Sequence, residues 1–145
     1  MRLWHYKLLP YLPDAQFKGQ LRELVVIMRS WRDEGKTNHL LINRVMGYPK
    51  SDLYAYFLEY WNEHSYRNKG QSLKYEICNE FYEFCHDFTR SNVFEGWHNK
   101  EYLRVCMANL YEKHVFGVGK SRITDEEWET LCRGYKQITG EEYQI

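Results

Sequence analysis

Residues Leu12-Pro13-Asp14-Ala15-Gln16-Phe17-Lys18-Gly19-Gln20-Leu21-Arg22-Glu23-Leu24-Val25-Val26-Ile27-Met28-Arg29-Ser30-Trp31-Arg32 set the reading of the whole chain. Phe17, Leu21, Leu24, Val25, Met28 and Trp31 recur at steps of three and four, the spacing that lines one side of an α-helix. Asp14 is the expected N-cap, and Gly35 suits a C-terminal stop. The same period continues down the chain. A short helix is predicted from about Asn38 to Met46, ended by Gly47 and Pro49. Ser51 opens a third, with Leu53, Tyr56, Phe57, Tyr60 and Trp61 on one face.

After the polar break at Asn68-Lys69-Gly70-Gln71, the residues Leu73, Ile77, Phe81, Phe84, Cys85 and Phe88 mark a fourth helix. Ser91–His98 reads as a loop, and Asn99 to about Phe116 as a fifth helix. Thr124-Asp125-Glu126-Glu127 is a capping box ahead of a sixth, carrying Trp128, Leu131, Cys132, Tyr135 and Ile138. No strand pattern or internal repeat interrupts the series. The expectation is an all-α fold: a single compact, irregular helical domain of about six helices over residues 1–145.

Composition agrees with a folded core, at 43% hydrophobic, 17% aromatic and 28% charged over 145 residues. No apolar run approaches the roughly 18 residues needed to cross a bilayer, and the first ten residues lack a signal-peptide pattern. These features predict a cytoplasmic monomer with no membrane partner. Cys78, Cys85, Cys106 and Cys132 show neither C-x-x-C spacing nor a nearby Cys/His cluster, so they read as core thiols in a reducing compartment.

The net charge is zero, but its distribution is uneven. Within residues 1–32, Arg2, Lys7, Lys18, Arg22, Arg29 and Arg32 face only Asp14 and Glu23. A polyanion should therefore meet the N-terminal quarter. Two apparent motifs fail on inspection. Gly119-Lys120-Ser121 ends like a phosphate-binding loop, but the required first glycine is His114 and no strand precedes it. Glu83-x-x-His86 and Glu95-x-x-His98 match half of a helical di-iron motif, yet the second lies in the predicted loop beside Gly96, so no metal is expected.

The first helix also carries an anomaly on its far side. Projected at 100° per residue, Arg22 and Glu23 flank a strip of Gly19, Val26 and Ser30. A mid-helix glycine costs on the order of 1 kcal/mol relative to alanine, and a valine facing water gains nothing. Such a face suggests that something packs over it.

These residues carry a resemblance. Leu12-Pro13-Asp14, then Gln20-Leu21-Arg22-Glu23-Leu24, is similar to the pyrimidine-dimer DNA glycosylases of the bacteriophage endonuclease V type. Met1-Arg2-Leu3-Trp4-His5 resembles bacterial members grouped with them. Further matches are His39 leading an apolar helix, Leu53-x-x-Tyr56-Phe57-Leu58, and His98-x-x-Glu101. The resemblance covers about residues 1–60 and thins beyond.

It implies a DNA repair glycosylase with apurinic/apyrimidinic lyase activity on damaged double-stranded DNA, excising pyrimidines through an N-terminal-amine Schiff base without a cofactor. An α-amine suits that chemistry. With a pKa of about 7.7–8.0, roughly a tenth or more is unprotonated at pH 7, against well under a hundredth of a normal lysine. By the resemblance Met1, retained because Arg2 is bulky, supplies the nitrogen and Glu23 is the essential carboxylate. Arg2, Arg22 and the weaker candidate His39 bind DNA phosphates. The family's arginine one turn beyond the glutamate is Val26 here, with Arg29 able to substitute, and its histidine at position 16 is Gln16. Two competing readings are a non-enzymatic helical module binding DNA or protein, and a metal-dependent hydrolase built on the Glu/His pairs.

Overall fold

The computed structural model describes residues 2–35, 37–87 and 92–145. Among them are six α-helices and no strand: α1 (Asp14–Asp33), α2 (Leu40–Met46), α3 (Lys50–Arg67), α4 (Tyr75–Cys85), α5 (Lys100–Phe116) and α6 (Asp125–Thr139). Two 3-10 turns, Tyr6–Tyr11 and Gly119–Ser121, complete the described elements. The fold is all-α, as the periodicity requires. No helix among the described residues is long and apolar enough to cross a membrane.

The helix ends show why the boundaries fall where they do. The Thr124 hydroxyl accepts the Glu127 N–H at 3.2 Å while Glu127 Oε1 accepts the Thr124 N–H at 2.9 Å, completing the capping box. The Asn99 side chain caps α5 by accepting the Tyr102 N–H at 2.9 Å. Gly35 adopts φ +69° and donates to the Ser30 and Trp31 carbonyls, closing α1 as a left-handed stop.

Asp14 departs from its expected place as N-cap. The Phe17 N–H donates to the Pro13 carbonyl at 2.9 Å, so α1 begins one residue earlier in register and Asp14 is its first helical residue. There its carboxylate still meets the positive end of the helix dipole. The fourth helix ends at Cys85, and Phe88, assigned to it from the sequence, lies outside the described residues.

Close contacts gather into two units. The first comprises Arg2, Leu3 and Gln20–Glu95. Its interior holds Leu24, Ile27 and Met28 of α1, Val45 of α2, Leu53, Tyr56 and Phe57 of α3, and Phe81 of α4, all without solvent exposure. Helices α3 and α4 pack through the parallel rings of Phe57 and Phe81, 4.0 Å apart. At the start of α3 the buried Asp52 carboxylate accepts the Phe94 N–H at 3.2 Å. That bond holds Phe94 at φ +51°, an uncommon backbone for a residue with a side chain, with its ring fully buried.

The second unit comprises Trp4–Gly19 and Gly96–Ile145, so α1 contributes its first residues here and the remainder to the other unit. Helix α6 packs on α5 and on the 3-10 turn at Tyr6–Tyr11. The turn contact is close: a methyl group on Gly134 would run into Cβ, Cγ and Cδ2 of Tyr11. The turn itself escaped the sequence reading because six residues are too few to show a period. Its first N–H groups are served by His5, whose Nδ1 accepts the Lys7 N–H at 3.1 Å.

His5 belongs to a stacked group of rings with Tyr6, His98 and Tyr102, the last also meeting Trp97 at 5.6 Å. His98 Nδ1 accepts the Tyr6 N–H at 3.2 Å. Burial lowers the His5 pKa to about 4, outweighing a hydrogen bond with the His98 backbone that acts in the opposite sense.

Two outcomes follow from this second unit. Gly134→Ala should destabilise by about 1–3 kcal/mol, because the ring root of Tyr11 cannot swing aside as a flexible chain end could; the midpoint of urea unfolding reports it. His5 stays neutral in the fold down to about pH 4 but takes a proton near pH 6.5 once unfolded. Its share of stability is therefore intact above pH 6.5 and is lost as the pH falls from 6.5 towards 4, by up to the order of 3 kcal/mol. Comparing unfolding midpoints of the native chain and His5→Gln at pH 7 and pH 4.5 isolates that share, and the pH-dependent loss should shrink in the variant.

Candidate active site

Gln20 and Glu23 stand three residues apart on α1, the spacing that sets two side chains on one helical face. The backbone of Arg2 runs alongside them within the first unit. The Arg2 N–H donates to Glu23 Oε2 at 3.0 Å, and the Arg2 carbonyl accepts from Gln20 Nε2 at 2.9 Å. The same Gln20 nitrogen reaches Glu23 Oε2 at 3.3 Å, and Gln20 Oε1 accepts from the Tyr56 hydroxyl at 3.2 Å. Gln20 is 1% exposed and Tyr56 fully buried, whereas Glu23 is half-buried.

This arrangement answers the anomaly in the helix pattern only at its Glu23 edge. The backbone of residue 2 lies against Gln20 and Glu23. Val26, one turn on, remains 44% exposed.

The electrostatics are simple. Both donors to Glu23 Oε2 are neutral N–H groups, and among the described residues no lysine or arginine pairs with this carboxylate. Oε1 accepts no hydrogen bond from the described residues. One carboxylate oxygen thus holds the backbone of residue 2. A carboxylate held in this way can accept a proton or face a developing positive charge.

The remaining sequence candidates divide clearly. Met1 lies outside the described residues. Arg2 joins Glu23 through its main chain. Arg22 is exposed on α1, directly before Glu23, and its guanidinium makes no hydrogen bond or ion pair among the described residues. Arg29 is committed elsewhere: Nη2 and Nε meet the two Glu80 oxygens at 2.7 and 3.0 Å. Arg32 joins the same carboxylate at 3.1 Å, and the two arginines hold Glu80 below the usual carboxylate range. His39 is exposed at the N-terminal edge of α2, where its side chain caps nothing and its N–H donates to Thr37 Oγ1 at 3.1 Å.

Gln16, in the second unit, donates its amide to the Ser121 carbonyl at 3.0 Å and does not belong to the Glu23 group. The described residues contain no group of three or more His, Cys, Asp or Glu side chains placed to hold a metal ion. Gln20 and Tyr56 were given no role from the sequence, although both lie inside the matching segments. Their signal was the i, i+3 spacing of Gln20 to Glu23 and a tyrosine hydroxyl on a fully apolar helix face.

The geometry can be set beside known proteins. No curated protein and no solved structure matches the chain. A family model described as pyrimidine dimer DNA glycosylase matches residues 1–77, just over half of the chain, and that span includes Arg2, Gln20, Arg22, Glu23, Arg29, His39 and Tyr56. The chain therefore belongs to the pyrimidine dimer DNA glycosylase family.

Proposed function

We propose that the chain excises damaged pyrimidines from double-stranded DNA and then acts as an abasic-site lyase, through a Schiff base on the amine of Met1. The observation that carries this reading is the bond from the Arg2 N–H to Glu23 Oε2. The Arg2 nitrogen is three covalent bonds from the α-nitrogen of residue 1, so a carboxylate fixed on the former is within reach of a proton on the latter.

In this scheme the amine lone pair attacks C1′ of the deoxyribose. The glycosidic bond breaks, its electron pair leaves with the base, and the base gains a proton. Glu23 takes the proton released by the amine and passes it to O4′ as the C1′–O4′ bond breaks and the sugar ring opens to the imine. Removal of a C2′ proton then expels the 3′ phosphate and cuts the strand. No step needs a metal or a redox partner. Gln20 acts as a positioning residue by holding the Arg2 carbonyl, and Tyr56 holds Gln20 in turn.

Arg22, exposed and adjacent to Glu23, is suited to a phosphate flanking the lesion, and Arg2 and His39 complete the proposed contact set. Arg29 joins only when phosphate displaces Glu80. That competition fits a neutral chain whose basic excess is confined to its first quarter.

Borohydride trapping on duplex DNA with an abasic site or a thymine dimer tests the reaction. A covalent adduct is expected with the free amine and none after N-terminal acetylation. Glu23→Gln should slow trapping by about 100-fold or more while duplex affinity changes little. Binding without any adduct would favour the non-enzymatic module. A separate titration examines Arg29: Glu80→Gln should tighten duplex binding and steepen its salt dependence by about one to two released ions. An unchanged slope removes Arg29 from the contact set.

A further inference from the structure

A pocket in the same unit shares no residue with the Glu23 group. Helices α3 and α4 and the segment leading into α4 line an open cavity of about 420 Å³. That volume is within the range of small-ligand sites. Its walls are aromatic: Tyr54 and Trp61 from α3, and Tyr75 and Tyr82 from α4. None of the lining residues carries a charge.

The walls hold one another in place. Trp61 Nε1 donates to Ser72 Oγ at 2.8 Å, which fixes the indole plane. Tyr82 meets Tyr54 edge-on at 6.3 Å and stacks on His86 at 4.1 Å. Tyr75 is 76% exposed, a large ring kept at the cavity edge with little burial to reward it.

One lining group supplies directional recognition. Asn79 is half-buried, and its amide makes no hydrogen bond among the described residues. A carboxamide offers a donor and an acceptor side by side, the complement of a nucleobase edge that presents the same pair reversed. Aromatic walls stack on a flat ring, and the absence of lining cations gives a phosphate nothing to pair with.

We propose that this cavity binds an uncharged nucleobase, stacked among Tyr54, Trp61, Tyr75 and Tyr82 and hydrogen-bonded by Asn79. The proposal does not rest on the glycosylase reading. The base can come from a free nucleoside or from a strand whose bases are unpaired, and the two sources are separable.

The five indole N–H signals of the chain give the readout, with the Trp61 signal identified by its disappearance in Trp61→Phe. Adenosine, thymidine, a short single-stranded oligonucleotide and tetramethylammonium are titrated separately. A saturable shift of the Trp61 signal is expected with a nucleoside, weakened about tenfold in Asn79→Leu and also in Tyr75→Ala. The other indole signals, unmoved in both variants, verify that they fold. A shift seen with the oligonucleotide alone assigns the base to a strand. The proposal is overturned if neither source gives a saturable shift, if Asn79→Leu binds as the native chain does, or if tetramethylammonium binds better than every nucleoside.

Discussion

A buried carboxamide must find partners for its donors and its acceptor, because each group left unmade inside a protein costs about 1–3 kcal/mol. Gln20 meets that demand with three different parts of the first unit: the main chain at residue 2, the carboxylate one turn along α1, and the hydroxyl of Tyr56 on α3. The constraint runs both ways. The amide can stay buried only if residue 2 lies across α1, and residue 2 can lie there only if something accepts its N–H. Glu23 does so. The placement of the N-terminal chain, the orientation of the carboxylate and the docking of α3 are thus coupled through one side chain, and networks of this kind gain from being complete.

Most of the fold was legible because helices announce themselves through period. The apolar steps of α1, α3 and α5 and the capping box of α6 each gave an element close to its observed bounds. What escaped had no period to read. The 3-10 turn at Tyr6–Tyr11 is too short, and its stability comes from a histidine cap and a glycine on a helix more than a hundred residues away. Asp14 failed as a cap for a subtler reason: the Pro13 carbonyl already serves the first helical N–H, and composition cannot say which of two adjacent residues does that.

The site was legible to a different degree. Glu23 stood out by resemblance and by the odd face around it, but the partners that orient it did not. A glutamine and a tyrosine are ordinary residues in a helix, and their joint use is a tertiary fact. Arg29 shows the converse. Its sequence position promised a free cation, whereas the fold sets Glu80 of α4 opposite it. Surface ion pairs of this sort contribute little to stability and are readily exchanged for another anion.

The four cysteines offer a consequence of their own. All are free; Cys78, Cys85 and Cys106 are buried and Cys132 is half-buried. Burial pushes the Cys85 thiol up to about 12 and raises Cys78 and Cys132 as well, so little reactive thiolate exists while the helices stay packed. Cys78 and Cys85 belong to one unit, Cys106 and Cys132 to the other. Each unit therefore carries one fully buried thiol, Cys85 in the first and Cys106 in the second, whose alkylation records how often that unit opens, without any label being introduced.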